Sequence, residues 1–218
     1  MEKIREKDNR VLLGVTGGIA SGKTTVARML QHLGAKLIDF DLLSRVVVEP
    51  GKPAWRDIAA YFGQEVLRQD KTLDRKKMAE IVFRDSEKRK KLESFVHPRI
   101  FEEFRRMIKE YDAKGAHIIQ VVVPLLFEGN LQHLFHKILL VYIPEEMQIA
   151  RVMKRDRISR EMALNMLRSQ SPIEEKRSYA DFTVDNSGSV KETKRQVEEV
   201  WEKLKRNQKR EALGRDLK

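Results

Sequence analysis

The run Gly17-Gly18-Ile19-Ala20-Ser21-Gly22-Lys23-Thr24 sets several phosphate-handling residue types side by side. Its spacing is G-x-x-x-x-G-K-[ST]. Glycines let a backbone approach a highly charged group and take dihedrals closed to other residues. The amides of such a loop, with the helix start that follows, offer donors and positive potential to phosphate oxygens. A lysine adds a mobile ammonium for the outer phosphates, and a threonine hydroxyl is a ligand for Mg²⁺. The run is therefore expected to hold the triphosphate of ATP with Mg²⁺ through Gly17, Gly18, Ala20, Ser21, Gly22, Lys23 and Thr24. Thr25 either touches an α-phosphate or packs in the helix. The plain alternative is a glycine-rich turn with an incidental lysine. The surroundings favour the phosphate reading. Val11 to Thr16 reads as a strand, and Val26, Met29, Leu30 and Leu33 fall on one helical face. Strand, loop and helix in that order are what the chemistry needs.

A second set of residues could act on an acceptor. Asp39 and Asp41 lie two apart at the end of an expected second strand, Ala35 to Phe40. If that strand continues, both side chains face the same side. Acids at the carboxyl end of a parallel strand face the ligand crevice, where they can take a hydroxyl's proton or hold Mg²⁺. The alternative is that one of them caps the following helix. Arg151 and Arg155 are four apart on one helical face, with Arg157 close behind. Phosphoryl transfer spreads charge over the moving oxygens, so such cations suit the site, although a solvated basic helix end has the same composition. Arg45 follows the acids by about one helical turn. It contacts an acceptor's phosphates or pairs with Asp41 or Glu49, and both readings stay open. His97 stands before Pro98, where a lone histidine is usually a helix-start or core residue. Glu128 ends a buried run and faces either the crevice or an ion-pair partner.

These residues need a scaffold. Expected strands are Val11 to Thr16, Ala35 to Phe40, His117 to Leu125, Lys137 to Ile143 and Ala180 to Val184, with a helix between the first two. Between Leu42 and about Lys114 no strong strand appears. Helical stretches are expected around Ala54–Tyr61, Arg75–Phe83, Ser86–Phe95 and Pro98–Tyr111, with Phe83, Phe95, Phe101, Phe104 and Tyr111 read as packing. Further helices are expected from Pro144 to about Lys154, from Ser159 to Gln170 and from Val190 to about Asn207. Alternation of strands and helices implies an α/β fold, with a parallel sheet covered on both faces.

The 218 residues contain no cysteine, which excludes disulfides, cysteine-bound zinc and a thiol nucleophile. A reducing compartment fits. No apolar run is long enough to span a bilayer. Met1 to Arg10 lacks an apolar segment and reads as a charged extension. The net charge of +11 suits a polyanionic ligand or, more plainly, exposed helix faces. There is no N-K-x-D for guanine, no L-S-G-G-Q, and no paired acids closing an apolar strand as in ATP hydrolases. A small-molecule kinase is the class that remains. The rivals are another nucleoside or nucleotide kinase and, outside enzymes, a basic nucleic-acid-binding module with a regulatory phosphate loop. The chain carries no recognised nucleic-acid-reading motif.

Several segments, in order, resemble the dephospho-CoA kinase family. They are Leu13 to Thr25; Ile38-Asp39-Phe40-Asp41 with Ser44-Arg45 and Val48-Glu49-Pro50-Gly51; Val96-His97-Pro98; and Val123-Pro124-Leu125-Leu126-Phe127-Glu128. Arg155-Asp156, Ser169-Gln170 and Ala180-Asp181-Phe182 through Asp185-Asn186 complete the set. The likeness spans roughly Val11 to Trp201. The family often has Asp-Ala-Asp where this chain has Asp39-Phe40-Asp41, and the charged ends lie outside the pattern. The resemblance implies a three-layer P-loop NTPase fold with a five-stranded parallel sheet. It implies one kinase domain, with a core over about 10–45 and 115–205, a helical acceptor-binding insertion over about 46–114 and a lid over about 152–176. It further implies ATP and Mg²⁺ as cofactors and Asp41 as catalytic base, with Lys23, Arg151 and Arg155 on the transferring phosphate. Asn186 would lie beside the adenine. Asp39, Arg45, His97 and Leu125 would contact the acceptor, and Thr24, with Asp39 or Asp41, the metal. The expected partner is the small molecule dephospho-CoA, with no nucleic acid and no membrane, for a cytoplasmic monomer or weak homo-oligomer.

Overall fold

The computed structural model describes residues 10–213, with side chains up to residue 206. All but the last residue of the charged N-terminal extension, and the end of the C-terminal tail, lie outside the described residues. The strands are β1 (Val11–Gly17), β2 (Lys36–Asp39), β3 (Ile118–Val122), β4 (Lys137–Tyr142) and β5 (Phe182–Asp185). The helices are α1 (Lys23–His32), α2 (Phe40–Val46), α3 (Pro53–Phe62), α4 (Arg75–Arg84), α5 (Ser86–Ala113), α6 (Glu145–Asp156), α7 (Arg160–Arg168), α8 (Ile173–Ser178) and α9 (Val190–Leu213). The strands form one five-stranded parallel sheet in the order β2-β3-β1-β4-β5. β1 pairs with β3 from Val11↔Ile118 to Val15↔Val122, and with β4 up to Gly17↔Val141.

The order explains both the apolar runs and the site. The chain leaves β1, passes over β3 through α1 and returns as β2. It later comes back on the other side of β1 as β4. The strand order therefore switches at the carboxyl end of β1, where sheets of this kind bind their ligands. Every residue of β1 and β3 is buried. That burial on both faces accounts for their unbroken hydrophobicity. β1, β3 and β4 pack with α1 and α9 into one core, in which Leu13, Val15, Leu30, Leu139, Val197 and Leu204 are fully buried.

The chain divides into two compact units. The sheet unit runs up to Ile38 and resumes at Tyr111; the helical unit is Asp39–Glu110. The sheet unit closes its own seam at two points. Arg10 pairs with Asp112, and the Tyr111 hydroxyl donates to the Leu37 carbonyl at 3.1 Å. The helical unit has its own core, in which Leu43, Ala54, Ile58, Val66 and Phe104 are buried. Phe40 meets Phe101 and Phe104 edge-on, at centroid distances of 6.2 and 5.1 Å.

Four expectations are corrected. The second strand stops at Asp39, and Phe40 already begins α2. The two helices expected on either side of Pro98 are one continuous helix, α5. Proline inside a helix forfeits a hydrogen bond and costs about 3 kcal/mol. Burial of Ile100, Phe104 and Ile108 just beyond it works against that loss. Phe83 is not core but 92% exposed. It lies five residues beyond the buried Met78, about 140° round the helix. The short helix α8 falls in a segment too polar to show an apolar period.

Candidate active site

The loop Gly17–Thr24 joins β1 to α1 at the switch point. Gly22 has φ 92° and precedes α1. A side chain there would be strained, and its Cβ would collide with Asn186 Nδ2. At Gly18 a Cβ would collide with Gln148 Oε1. A side chain at either position would thus have to displace the end of Asn186 or Gln148, and at Gly22 the backbone conformation opposes it as well. Ala20 holds a positive φ of 54°, a strained setting for a residue with a side chain. The amides of Ala20, Gly22 and Thr24 have no protein partner among the described residues. The Lys23 ammonium turns back over the loop, 3.0 Å from the Gly17 carbonyl and 2.8 Å from that of Gly18. The Thr24 and Thr25 side chains are exposed in the first turn of α1. The Ser21 side chain is fully buried, and its hydroxyl has no partner among the described residues. The Ser21 backbone is engaged as well, its amide donating to the Gly18 carbonyl at 3.2 Å and its carbonyl accepting from Asn186, so the residue shapes the loop rather than offering it a free donor. The loop thus carries several amides without a protein partner and one ammonium folded back on it, which suits a polyphosphate.

The loop is braced from α6 and from the turn after β5. Arg151 donates to the Asn186 carbonyl at 3.0 Å and to the Ala20 carbonyl at 3.5 Å. Asn186 Nδ2 donates to the Ser21 carbonyl at 2.8 Å. Gln148, only 4% exposed, packs on Gly18 and donates to the Ile143 carbonyl at 3.2 Å. A cavity of about 150 Å³ opens beside Gly18, lined by Glu145, Gln148, Arg168 and Gln170 among others. Arg155, expected beside Arg151 on the same face, instead makes a bidentate pair with the adjacent Asp156, both bonds at 2.8 Å. That hydrogen-bonded pairing raises the Arg155 pKa and lowers that of Asp156. Arg157 ends α6 in the left-handed region, at φ 55°. Gln148 was missed from sequence. The available signal was a polar residue beside the buried Ile149 and Val152 of an amphipathic helix.

The acidic pair does not lie along a strand. Asp39 is the N-cap of α2, and its Oδ1 accepts from the amides of Asp41 at 2.9 Å and Leu42 at 3.3 Å. This is the capping alternative, in which a carboxylate answers helix amides that have no partner within the helix. Asp41 sits in the first helical turn with an exposed side chain, so the shared strand face expected for the two acids does not exist. Within the helical unit, His97 and Ser44 line a cavity of about 360 Å³ with Ile58, Met78 and Val96. Arg75 stands at the same cavity, its pKa lowered by burial and then by the like charges of Arg45 and Arg68. Arg45 makes no ion pair among the described residues, and Glu49 pairs with Lys52 at 3.0 Å instead. Leu125 is 49% exposed just beyond β3.

Glu128 is resolved as an ion pair. It meets the buried Lys176 of α8 at 2.7 Å and accepts from the Ser171 amide at 2.9 Å. Burial pushes its carboxyl up, but the bonds from Lys176 and from backbone amides outweigh it and hold the pKa below the ordinary value.

The family model described as dephospho-CoA kinase matches residues 11–192. The dephospho-CoA kinase of Carboxydothermus hydrogenoformans is 43% identical over 89% of this chain and 94% of its own. That of Halalkalibacterium halodurans is 42% identical over 89% and 97%. Among solved structures, dephospho-CoA kinase from Campylobacter jejuni superposes with a TM-score of 0.67 at 31% identity, covering 90% of this chain and 98% of that one. Shikimate kinase from Acinetobacter baumannii shares the fold, with a TM-score of 0.51 at 17% identity over 91% and 94% of the two chains.

Proposed function

The chain belongs to the dephospho-CoA kinase family, and on that premise we propose that it moves the γ-phosphate of ATP onto the 3′-hydroxyl of the ribose of dephospho-CoA, giving CoA and ADP. The observation that carries the reading is the loop at the end of β1, with amides free for phosphate oxygens and Lys23 poised over it. Lys23 would exchange its two carbonyl contacts for phosphate oxygens and offset the charge of the transferring group. Arg151 contributes a second fixed positive charge at the same loop. Asp41 accepts the proton of the attacking hydroxyl, a role its exposed carboxylate permits and that of Asp39, engaged as a cap, does not favour.

Mg²⁺ fits the residues present. No group of three or more His, Cys, Asp or Glu among the described residues could hold an ion unaided. Magnesium in kinases characteristically takes one or two protein ligands and completes its shell with water and substrate phosphates. The exposed Thr24 hydroxyl would supply one such ligand, and Asp39 or Asp41 is the candidate for a second. When bound, the ion would neutralise charge on the phosphates.

The acceptor belongs to the helical unit. Its apolar arm fits the 360 Å³ cavity, with Ser44 and His97 as polar contacts, while Arg45 and Arg75 suit its diphosphate. Residues 152–176 are assigned as a lid that excludes competing water, its end held by the bonds of Ser171 and Lys176 to Glu128. The reaction involves no nucleic acid and no membrane, and we assign it to the cytoplasm, in a monomer or weak homo-oligomer. No helix among the described residues is long and apolar enough to cross a membrane.

The test is ADP release with and without dephospho-CoA, against a panel of nucleoside and nucleotide acceptors, with the phosphorylated position read by mass spectrometry. Acceptor-dependent release and a 3′-phosphate are expected. Release with equal efficiency for nucleosides would overturn the acceptor assignment.

A further inference from the structure

The turn after β5 reaches across the sheet unit to the phosphate loop through one side chain. Asn186 Nδ2 donates to the Ser21 carbonyl at 2.8 Å. Its Oδ1 accepts from the hydroxyl of Thr193 at 2.9 Å, the shorter of two contacts open to that single proton, the other being the Ser189 carbonyl at 3.2 Å. Thr193 lies in the first turn of α9 and is fully buried. The two partners fix which end of the amide faces which way, because a carbonyl can only accept and so needs the NH₂ group. The backbone of the same residue is also held. Its amide donates to the Tyr142 carbonyl at 2.9 Å, and its carbonyl accepts from Arg151 at 3.0 Å. Asn186 is thus rigid at both main chain and side chain, and it presses on Gly22 so closely that no Cβ fits there.

What this bond fixes is the plane of the Ser21–Gly22 peptide. In a planar trans peptide the C=O and N–H point in opposite directions. Drawing the Ser21 carbonyl toward Asn186 therefore turns the Gly22 N–H the other way, away from the brace. That amide has no protein partner among the described residues, and it lies between the loop and the first turn of α1, where a phosphate oxygen needs a donor. Gly22, at φ 92° and without a side chain, has little resistance of its own to rotation of the adjoining peptide. A loop left to itself would have to spend binding energy to align this amide.

We propose that Asn186 and Thr193 are positioning residues for nucleotide binding: Thr193 orients the Asn186 amide, and Asn186 holds the Ser21–Gly22 peptide with its N–H presented to the phosphates. Neither side chain touches the nucleotide in this role, which is separate from the backbone contact to the adenine expected of this turn. The inference rests on the reading of Gly17–Thr24 as the phosphate site.

The test is titration calorimetry of ATP with the full chain, beside thermal melting and steady-state kinetics. Thr193→Val keeps the shape and removes the hydroxyl. It is expected to weaken ATP binding about 3–10-fold, the worth of one hydrogen bond. Thr193→Ser keeps the hydroxyl and should return affinity to within about twofold of the parent. Asn186→Asp sets a carboxylate oxygen against the Ser21 carbonyl and should cost about 10–100-fold. In each case KM for ATP rises while KM for the acceptor holds. No binding of ATP by the unaltered chain would remove the phosphate-site reading itself. Binding by the unaltered chain with equal affinity in Thr193→Val and Asn186→Asp would overturn the positioning role alone. So would equal losses in Thr193→Val and Thr193→Ser, or a lowered melting temperature with ATP affinity unchanged.

Discussion

In the sheet unit, Lys176 is 1% exposed and meets Glu128 at 2.7 Å. In the helical unit, the Arg106 side chain is 60% exposed and reaches Glu103 at 2.7 Å and Glu110 at 3.2 Å. The distances match, but the physics does not. The first pair has left water and depends on its partner; the second remains solvated and would be nearly as comfortable without one. The contrast extends to other polar groups, although α9 of the sheet unit also carries spaced surface pairs such as Lys194 with Glu198 and Arg195 with Glu199. The sheet unit fixes its polar groups by bonds between distant segments: Glu128 to Lys176 and Ser171, Asn186 to Ser21, Gln120 to Ala27. The helical unit spaces its charges three or four residues apart on single helices, as in Lys90 with Glu87, Arg99 with Glu102 and Arg106 with its two partners. A unit that must hold a phosphate loop to a fraction of an ångström needs the first arrangement. In the helical unit the second arrangement leaves the interior free for the cavity lined by Ser44, Ile58, Met78 and His97.

The largest expected effect is on the buried pair. Glu128→Gln leaves the Lys176 ammonium buried without a counter-charge, and breaking such a pair costs about 3–5 kcal/mol. The partial exposure of Glu128 places the expected loss near the lower end, about 3 kcal/mol in denaturant unfolding. Pairing it with Lys176→Met should recover much of that. A loss below about 0.5 kcal/mol for the single variant would mean that the pair is in effect solvated. The same group gives a pH dependence. Its folded pKa lies below the ordinary 4.5, so its stabilisation is complete above that value and fades as pH falls through the folded one. Melting temperature should drop with pH below about 4.5 in the parent and less steeply in Glu128→Gln.

Next come the residues assigned to the chemistry. Lys23→Ala and Asp41→Asn are each expected to lower turnover by at least about a hundredfold, roughly 2.7 kcal/mol, with folding intact. Lys23→Ala should also weaken ATP binding, because its ammonium belongs to the phosphate loop. Asp41→Asn should not. Near-normal turnover of Asp41→Asn would remove it as the base.

The legibility of the sequence follows the same division. The phosphate loop could be read because its chemistry is contiguous: eight residues in a row, flanked by a strand and a helix whose periods differ. The buried strands β1, β3 and β4 could be read because burial on both faces leaves little polar punctuation. Asp39 was open to two readings, because an acid at a strand end and an acid at a helix cap look alike until the chain's direction after Asp39 is known. Arg155 could be placed on a helix face, but not on its neighbour, since a pairing between adjacent residues leaves no periodic trace. Thr193, Gln148 and Lys176 carry no motif at all. Their importance comes from contacts with Asn186, Gly18 and Glu128, which sequence separation conceals. The helical cavity was equally hidden, being assembled from α2 through α5 with no residue type that announces a ligand.

A smaller effect tests that cavity. Ala79 lines it from α4 and is exposed, so a larger side chain can enter the space without displacing core. Ala79→Phe should raise KM for dephospho-CoA about tenfold, a loss of about 1.4 kcal/mol, and leave ATP affinity unchanged. An unchanged acceptor KM would place the apolar arm elsewhere.

The smallest effect is expected at Arg106, where the short contacts alone would suggest the opposite. Its contact to Glu103 is as short as that of Lys176 to Glu128, and the hydrogen bonds to Glu103 raise its pKa. Yet the pair costs little to dissolve, because water replaces each contact and the freed side chain regains its rotamers. Arg106→Ala should shift the melting temperature by no more than about 1–2 °C, and most of even that should vanish in 1 M salt, where screening acts over about 3 Å. A loss comparable with that of Glu128→Gln, persisting in salt, would show that the exposed network is as structural as the buried pair and erase the distinction between the two units.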